Sequence, residues 1–197
     1  MRRAALPAVP ALVVCLSVFG AWSSAPPVVE SPDDPFVVVS LSDGGQVVIE
    51  LFPSEVPETV ANFRQLVGDR YYDGLVFHRA EDWVVQTGSI NGDGTGGPPW
   101  CIDLESSKHP NTRGAVGMAR EFGKPNSAGS QFYVLRKDAL QLDDAAARSD
   151  DAYTYCVFGR VVQGMNVVDS MKVGAEIASA REVPYSQLPA GSAGAAQ

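Results

Sequence analysis

The sequence predicts a single all-β-dominated domain, folded as a sandwich or a closed barrel. Three observations point there. Short runs rich in Val, Ile, Phe and Tyr recur from Phe36 to Val183, and glycine-rich connections separate several of them. Only the stretch from Val56 to Val67 carries a convincing long helical period. The chain has 197 residues with 45% hydrophobic content, enough for one full core, and shows no internal repeat.

The first residues behave differently. Met1-Arg2-Arg3 leads into an apolar run from Ala4 to Trp22, then Ser23, Ser24 and Ala25. A positive start, an apolar middle and a small-residue end form the signature of a secretory signal peptide, assigned to residues 1–24. Pro7 and Pro10 interrupt the run and disfavour a membrane-spanning helix, which needs about 20 apolar residues. A retained N-terminal anchor is the rival. Pro26 spoils cleavage after Ala25, whereas Ser23 has Ala21 two residues before it. Export to the periplasm, the cell envelope or the medium is the expectation. Residues 25–35 read as a flexible linker and 36–188 as the domain.

Within the domain, Phe36–Leu41 and Gln46–Phe52 flank Ser42-Asp43-Gly44-Gly45, a hairpin signal. The helix follows, with Pro57 in its first turn and Gly68 at its C-terminal cap. Val56, Val60, Phe63 and Val67, with Leu66 beside them, form its apolar stripe. Strand-like segments then run over Leu75–Arg79, Trp83–Thr87, Ala115–Ala119, Gln131–Leu135, Tyr155–Val162 and Ile177–Val183. Val167–Met171 suits a short helix, and 189–197, rich in Ala, Gly and Ser, a disordered tail.

Composition excludes several functions. The net charge is −8; without Arg2 and Arg3 the 15 basic residues become 13 against 23 acidic ones, a balance of −10. Nucleic-acid binding rests on Lys and Arg neutralising phosphates, so nucleic acid is excluded as a partner. No polybasic patch exists for anionic lipid, which leaves the N-terminal anchor as the sole membrane contact considered. Of three cysteines, Cys15 lies in the leader. Cys101 and Cys156 are allowed to form a disulfide in an oxidising compartment, the alternative being two separate buried thiols. His78 and His109 have no partner at metal-ligand spacing and read as structural, so no metal is called for.

The stretch Phe77–Gly97 reads F-H-R-A-E-D-W-V-V-Q-T-G-S-I-N-G-D-G-T-G-G. A strand over Trp83–Gln86 would show an apolar wall and an amide beside Arg79, whose five donors stay charged at any working pH. Further segments follow in order: G-M-A (117–119), N-S-A-G-S-Q-F-Y-V (126–134) and V-F-G-R-V-V-Q-G-M-N-V-V (157–168), with the helix V-P-E-T-V-A-N-F (56–63) upstream. Together they resemble the cyclophilins over most of the chain. The resemblance implies a closed eight-stranded antiparallel β-barrel capped by two α-helices. It also implies peptidyl-prolyl cis-trans isomerase activity without a cofactor, proline-containing peptides and unfolded proteins as partners, and a monomer.

By that resemblance Arg79, Gln86 and Gln131 are catalytic, while Trp83, Val84, Ala119, Arg120, Tyr133, Leu142 and Tyr155 bind substrate. This chain departs from the family pattern at several places. Trp83 and Val84 stand where Phe and Met are usual, and E-D replaces a P-G turn in a stretch one residue shorter. Tyr133 is often Phe, Arg120 is usually Asn, and Tyr155 is often His. Gln141 replaces a Trp found in members that bind cyclosporin tightly, so weak cyclosporin binding is expected. Asp144–Thr154 is an insertion whose acidic run reads as a solvated loop; it lacks the ligand pattern of a calcium loop. A proline-peptide binding module with little turnover, and a purely structural barrel, are the rival functions.

Overall fold

The computed structural model describes residues 29–143 and 154–189. The predicted signal peptide, the insertion as far as residue 153 and the tail beyond 189 lie outside the described residues.

Strands β1 (Phe36–Leu41) and β2 (Gln46–Leu51) form the predicted hairpin, with Val39 opposite Val47 and Gly44 at φ 91° in the turn. Helix α1 (Pro57–Gly68) buries the predicted stripe: Val56, Val60, Phe63, Leu66 and Val67 all lie in the main core. Its C-terminus differs from the sequence expectation. Gly68 is the last helical residue, and the left-handed position falls at Arg70, φ 57°. Tyr71 N–H bonds Leu66 C=O (2.9 Å) and Arg70 N–H bonds Val67 C=O (3.1 Å), the paired bonds of a Schellman cap.

The remaining elements are β3 (Arg79–Ala80), β4 (Val84–Thr87), β5 (Ala115–Met118), β6 (Phe132–Leu135), β7 (Val157–Gln163), α2 (Met165–Ser170) and β8 (Ile177–Val183). They join one antiparallel sheet in the order β3-β4-β6-β5-β7-β2-β1-β8. The sheet is open, which corrects the closed barrel expected from the sequence. Edge strands β3 and β8 share no ladder; a single bridge, Val76 to Glu176, spans the seam. Leu75–Phe77, expected in a strand, supplies seam bonds instead: Phe77 N–H to Ala175 C=O (2.8 Å) and Ile177 N–H to Leu75 C=O (2.8 Å). The result is a curled half-barrel, because a two-residue β3 is too short to pair along β8.

Side chains alternate across the sheet and sort into clusters. Val37, Val39, Ile49, Val85, Val116, Phe132, Val134 and Phe158 meet the α1 stripe on the inner face. Phe63 is central there, with ring centroids 4.9–5.4 Å from Phe158, Phe132 and Tyr72. Val84, Ala115, Tyr133, Leu135 and Val157 form a second cluster on the outer face. A third, around Phe36, Val38 and Val48, is covered by Val29, Tyr185 and Leu188.

Within the 25–35 segment, Glu30 and Ser31 are held by Glu50, which is 0% exposed. A buried carboxylate demands donors. It accepts from the backbone N–H of Glu30 (2.6 Å) and Ser31 (3.0 Å), and from Arg160 Nε (2.8 Å). Of the two alternatives left open for Cys101 and Cys156, both are free thiols here. Cys156 points into the main core, its Sγ 3.6 Å from Thr59 Oγ1, and burial pushes its pKa up to about 11. Cys101 lies exposed on the loop after Trp100.

At Arg70 a Cβ occupies left-handed backbone. Arg70→Gly is expected to stabilise the fold by about 0.5–1 kcal/mol, since relief of that strain exceeds the added unfolded-state entropy. Urea midpoints measure it; an unchanged or lower midpoint would contradict the strain.

Candidate active site

One row of side chains builds the outer face. Arg79 of β3 stands opposite Gln86 of β4, Gln86 opposite Tyr133 of β6, and Tyr133 opposite Gly117 of β5. Cross-strand partners share a face, so the four positions cross the sheet as neighbours. Val84, two residues before Gln86, lies on the same face opposite Leu135. Gln131, two residues before Tyr133, follows the same alternation.

Arg79 is half-buried and bound by Glu81, whose carboxylate accepts from Nε (2.7 Å) and Nη2 (3.1 Å). The remaining terminal nitrogen, Nη1, faces Gln86 Oε1 at 3.5 Å. Gln86 Nε2 donates to Gln131 Oε1 (3.0 Å), and Gln131 Nε2 donates to the carbonyl of Gly94 (2.9 Å). The two amides thus tie the strand row to the glycine loop. Gly88 makes that approach possible: a Cβ there would sit 2.3 Å from Ser130 O, and its φ is +91°. Trp83 precedes β4 and escapes strand alternation, so both it and Val84 reach the outer face. Its indole N–H donates to Glu81 Oε2 (2.8 Å), and its ring lies 5.0 Å from the Arg79 guanidinium carbon.

The far wall hangs on Tyr133. Its ring lies over Gly117, where a Cβ would fall 2.1 Å from the ring. Its hydroxyl donates to Asn111 Oδ1 (2.6 Å), and Asn111 donates through Nδ2 (2.8 Å) and its backbone N–H (2.6 Å) to Asp143 Oδ1. Burial pushes the Tyr133 phenol well above its usual range, so it stays protonated as a donor. Asp143 follows the short 3-10 turn Leu140–Leu142, which delivers Leu142. Tyr155 N–H bonds Leu142 C=O (3.1 Å), closing a neck from which the insertion departs. Arg120 braces the returning chain, donating from Nε (2.9 Å) and Nη2 (2.5 Å) to Thr154 C=O, with its guanidinium 4.8 Å from the Tyr155 ring centre. Ala119 N–H bonds Gln131 C=O (2.8 Å).

These residues enclose a pocket of about 160 Å³ lined by Arg79, Trp83, Val84, Gln86, Ala119, Arg120, Tyr133, Leu142 and Tyr155. An open groove of about 470 Å³ adjoins it, sharing Gln86, Ala119 and Arg120 and continuing past Gln131, Thr95, Trp100 and Cys101. All ten residues singled out from the sequence as catalytic or substrate-binding therefore meet at one site. His78 and His109 stand outside it; His109 stacks on Phe52 at 3.9 Å. Sequence reasoning missed Glu81, Asn111, Gly117 and Asp143. Glu81 had a signal, lying two residues from Arg79 where a strand returns to the same face. Asn111 and Asp143 had none, being 32 residues apart in sequence.

The family described as cyclophilin type peptidyl-prolyl cis-trans isomerase/CLD matches residues 36–188. The chain is 34% identical over 135 residues to peptidyl-prolyl cis-trans isomerase B of Bacillus subtilis, a match spanning 68% of this chain and 88% of that one. It is 39% identical over 153 residues to a probable peptidyl-prolyl cis-trans isomerase of Brucella suis, spanning 71% and 72%. In structure it is similar to a Cryptosporidium parvum cyclophilin type peptidyl-prolyl cis-trans isomerase solved in the presence of the dipeptide Ala-Pro. That likeness has TM-score 0.62 and 26% identity, and covers 74% of this chain and 97% of that one.

Gly117→Ala is expected to displace the Tyr133 ring and cost about 1–3 kcal/mol, as overpacking does. A urea melt and the Tyr133 ring NMR shifts test it; wild-type values in both would show that the ring has room.

Proposed function

The chain belongs to the cyclophilin-type peptidyl-prolyl cis-trans isomerases, and on that premise we propose that the pocket beside Arg79 is where it rotates X-Pro bonds. The observation that carries this reading is the one guanidinium nitrogen of Arg79 that Glu81 does not hold, Nη1, which meets Gln86 Oε1 on the lining of a small pocket.

No bond is broken in this reaction. Amide resonance sets a rotation barrier of about 18–20 kcal/mol, and uncatalysed X-Pro exchange takes tens to hundreds of seconds. As the bond twists, the prolyl nitrogen regains a lone pair. A donor aimed at that nitrogen binds the twisted form better than either planar one, and about 1.36 kcal/mol of such preference gives tenfold in rate. Arg79 is that donor. Val84, Tyr133 and Leu142, with Trp83 and Tyr155, hold the pyrrolidine ring against rotation. Gln86, Gln131 and the backbone at Ala119 and Arg120 hold the flanking chain in the groove while the other side turns. Proline-containing peptides and unfolded proteins are the substrates, and the Ala-Pro dipeptide present with the similar Cryptosporidium protein supports that class. The enzyme acts as a monomer on proteins outside the cytoplasm; the Arg2-Arg3 start and the apolar run to Trp22 support export.

Arg79→Ala is expected to lower kcat/KM on the order of 10²–10³-fold, the loss typical of a preorganised donor. Exchange of an X-Pro peptide followed by NMR measures it, and equal rates for both proteins would remove Arg79 from the chemistry. Export predicts a mature chain recovered outside the cytoplasm with its N-terminus near residue 24. A full-length chain confined to the cytoplasm would refute that.

A further inference from the structure

We infer that Glu81 is a positioning residue for Arg79, setting which edge of the guanidinium faces the substrate pocket. The inference rests on the reading that Arg79 is the catalytic donor. Arg79 sits on β3, a two-residue strand at the sheet edge, and its side chain is 38% exposed. An arginine so placed has about 2 kcal/mol of rotamer freedom to lose, and nothing in the strand itself selects one orientation. Glu81 selects it. Both of its carboxylate oxygens are used on one edge of the guanidinium, Oε1 by Nε and Oε2 by Nη2. A bidentate pair fixes direction as well as distance. Oε2 also accepts the Trp83 indole N–H, so one carboxylate aligns the donor and the ring beneath it. Only Nη1 is left on the side of Gln86.

The turn that carries Glu81 is itself held in place. Glu81 N–H bonds Val84 C=O (2.8 Å), and Arg136 Nη1 donates to Glu81 C=O (2.7 Å). Arg136 N–H bonds Trp83 C=O (2.8 Å), while its other nitrogens bond Val168 C=O and Met171 C=O around the end of α2. Lys137 pairs with Asp82 (2.8 Å). The clasp is thus anchored to the body of the fold at each of its three residues. Its ion pair is exposed on both sides, 38% and 47%, and such pairs contribute little to stability. Loss of Glu81 should therefore appear in the rate and hardly in folding.

The test follows X-Pro exchange by NMR for wild type, Glu81→Ala, Glu81→Gln, Arg79→Ala and the Arg79→Ala/Glu81→Ala double variant, with urea midpoints for each. Glu81→Ala is expected to lower kcat about tenfold and leave KM within about twofold, as misplacement of a reacting group does. Its urea midpoint should stay close to that of wild type, and Glu81→Gln, which keeps one acceptor, should fall between. In the Arg79→Ala background, removing Glu81 should change the remaining rate less than about twofold, since a residue acting through another has no independent effect. Wild-type kcat for Glu81→Ala, or an equal loss in the Arg79→Ala background, would overturn the inference while leaving the catalytic reading intact. A wild-type rate for Arg79→Ala would overturn both.

Discussion

The pairing register of β4 on β6 is the constraint on which the site depends. Gln86 lies opposite Tyr133, and Val85 opposite Val134. Because strand side chains alternate, this register sends Val85, Phe132 and Val134 inward to the α1 stripe and Val84, Gln86 and Tyr133 outward. A slip by one residue would bury the amide and the phenol and strip the core of its branched side chains. The inner core therefore enforces the outer pocket: the energy that holds the register is hydrophobic burial around Phe63, on the face opposite that pocket.

Around that row, the positions where the chain departs from the family pattern are supported as a set. The E-D-W turn contributes Glu81, which grips both Arg79 and Trp83. Tyr133 carries a hydroxyl that a phenylalanine lacks, and Asn111 accepts from it while donating to Asp143. Arg120 lies along Tyr155 and bonds Thr154, bracing the chain where it returns from the insertion. Glu81, Trp83, Tyr133 and Arg120 each have a polar partner, as the cost of leaving one unsatisfied requires. Glu81, Asn111, Asp143 and Thr154 lie beyond the pocket lining, so they shape the site from behind it.

Much of this was legible in the sequence where the signal is local. The helix stripe from Val56 to Val67, the hairpin at Asp43-Gly44 and the strand segments were read from periods and turns, which depend on neighbouring residues alone. Errors arose where distant parts of the chain compete. Gly68 suits a helix end, yet the Schellman bonds from Arg70 and Tyr71 carry the left-handed position two residues on. A barrel expected to close stays open: β3 and β8 share no ladder, and the seam is spanned by the Val76–Glu176 bridge and the backbone bonds of Leu75 and Phe77. The sequence left Cys101 and Cys156 open between a bond and two separate thiols, and the packing of Cys156 in the core beside Thr59 is a matter of long-range contact.

The sequence by itself determined which residues gather at the pocket and its groove: the ordered motifs named Arg79, Gln86, Gln131 and the pocket wall, and side-chain alternation assigned the faces of Val84, Gln86 and Tyr133. Tertiary structure alone decided how they are aimed. The direction of Arg79 depends on Glu81, and through Arg136 on carbonyls at the end of α2; the wall at Tyr133 depends on Gly117, Asn111 and Asp143. Such bonds join groups tens of residues apart, and their geometry exists only once the sheet has curled and its register is set.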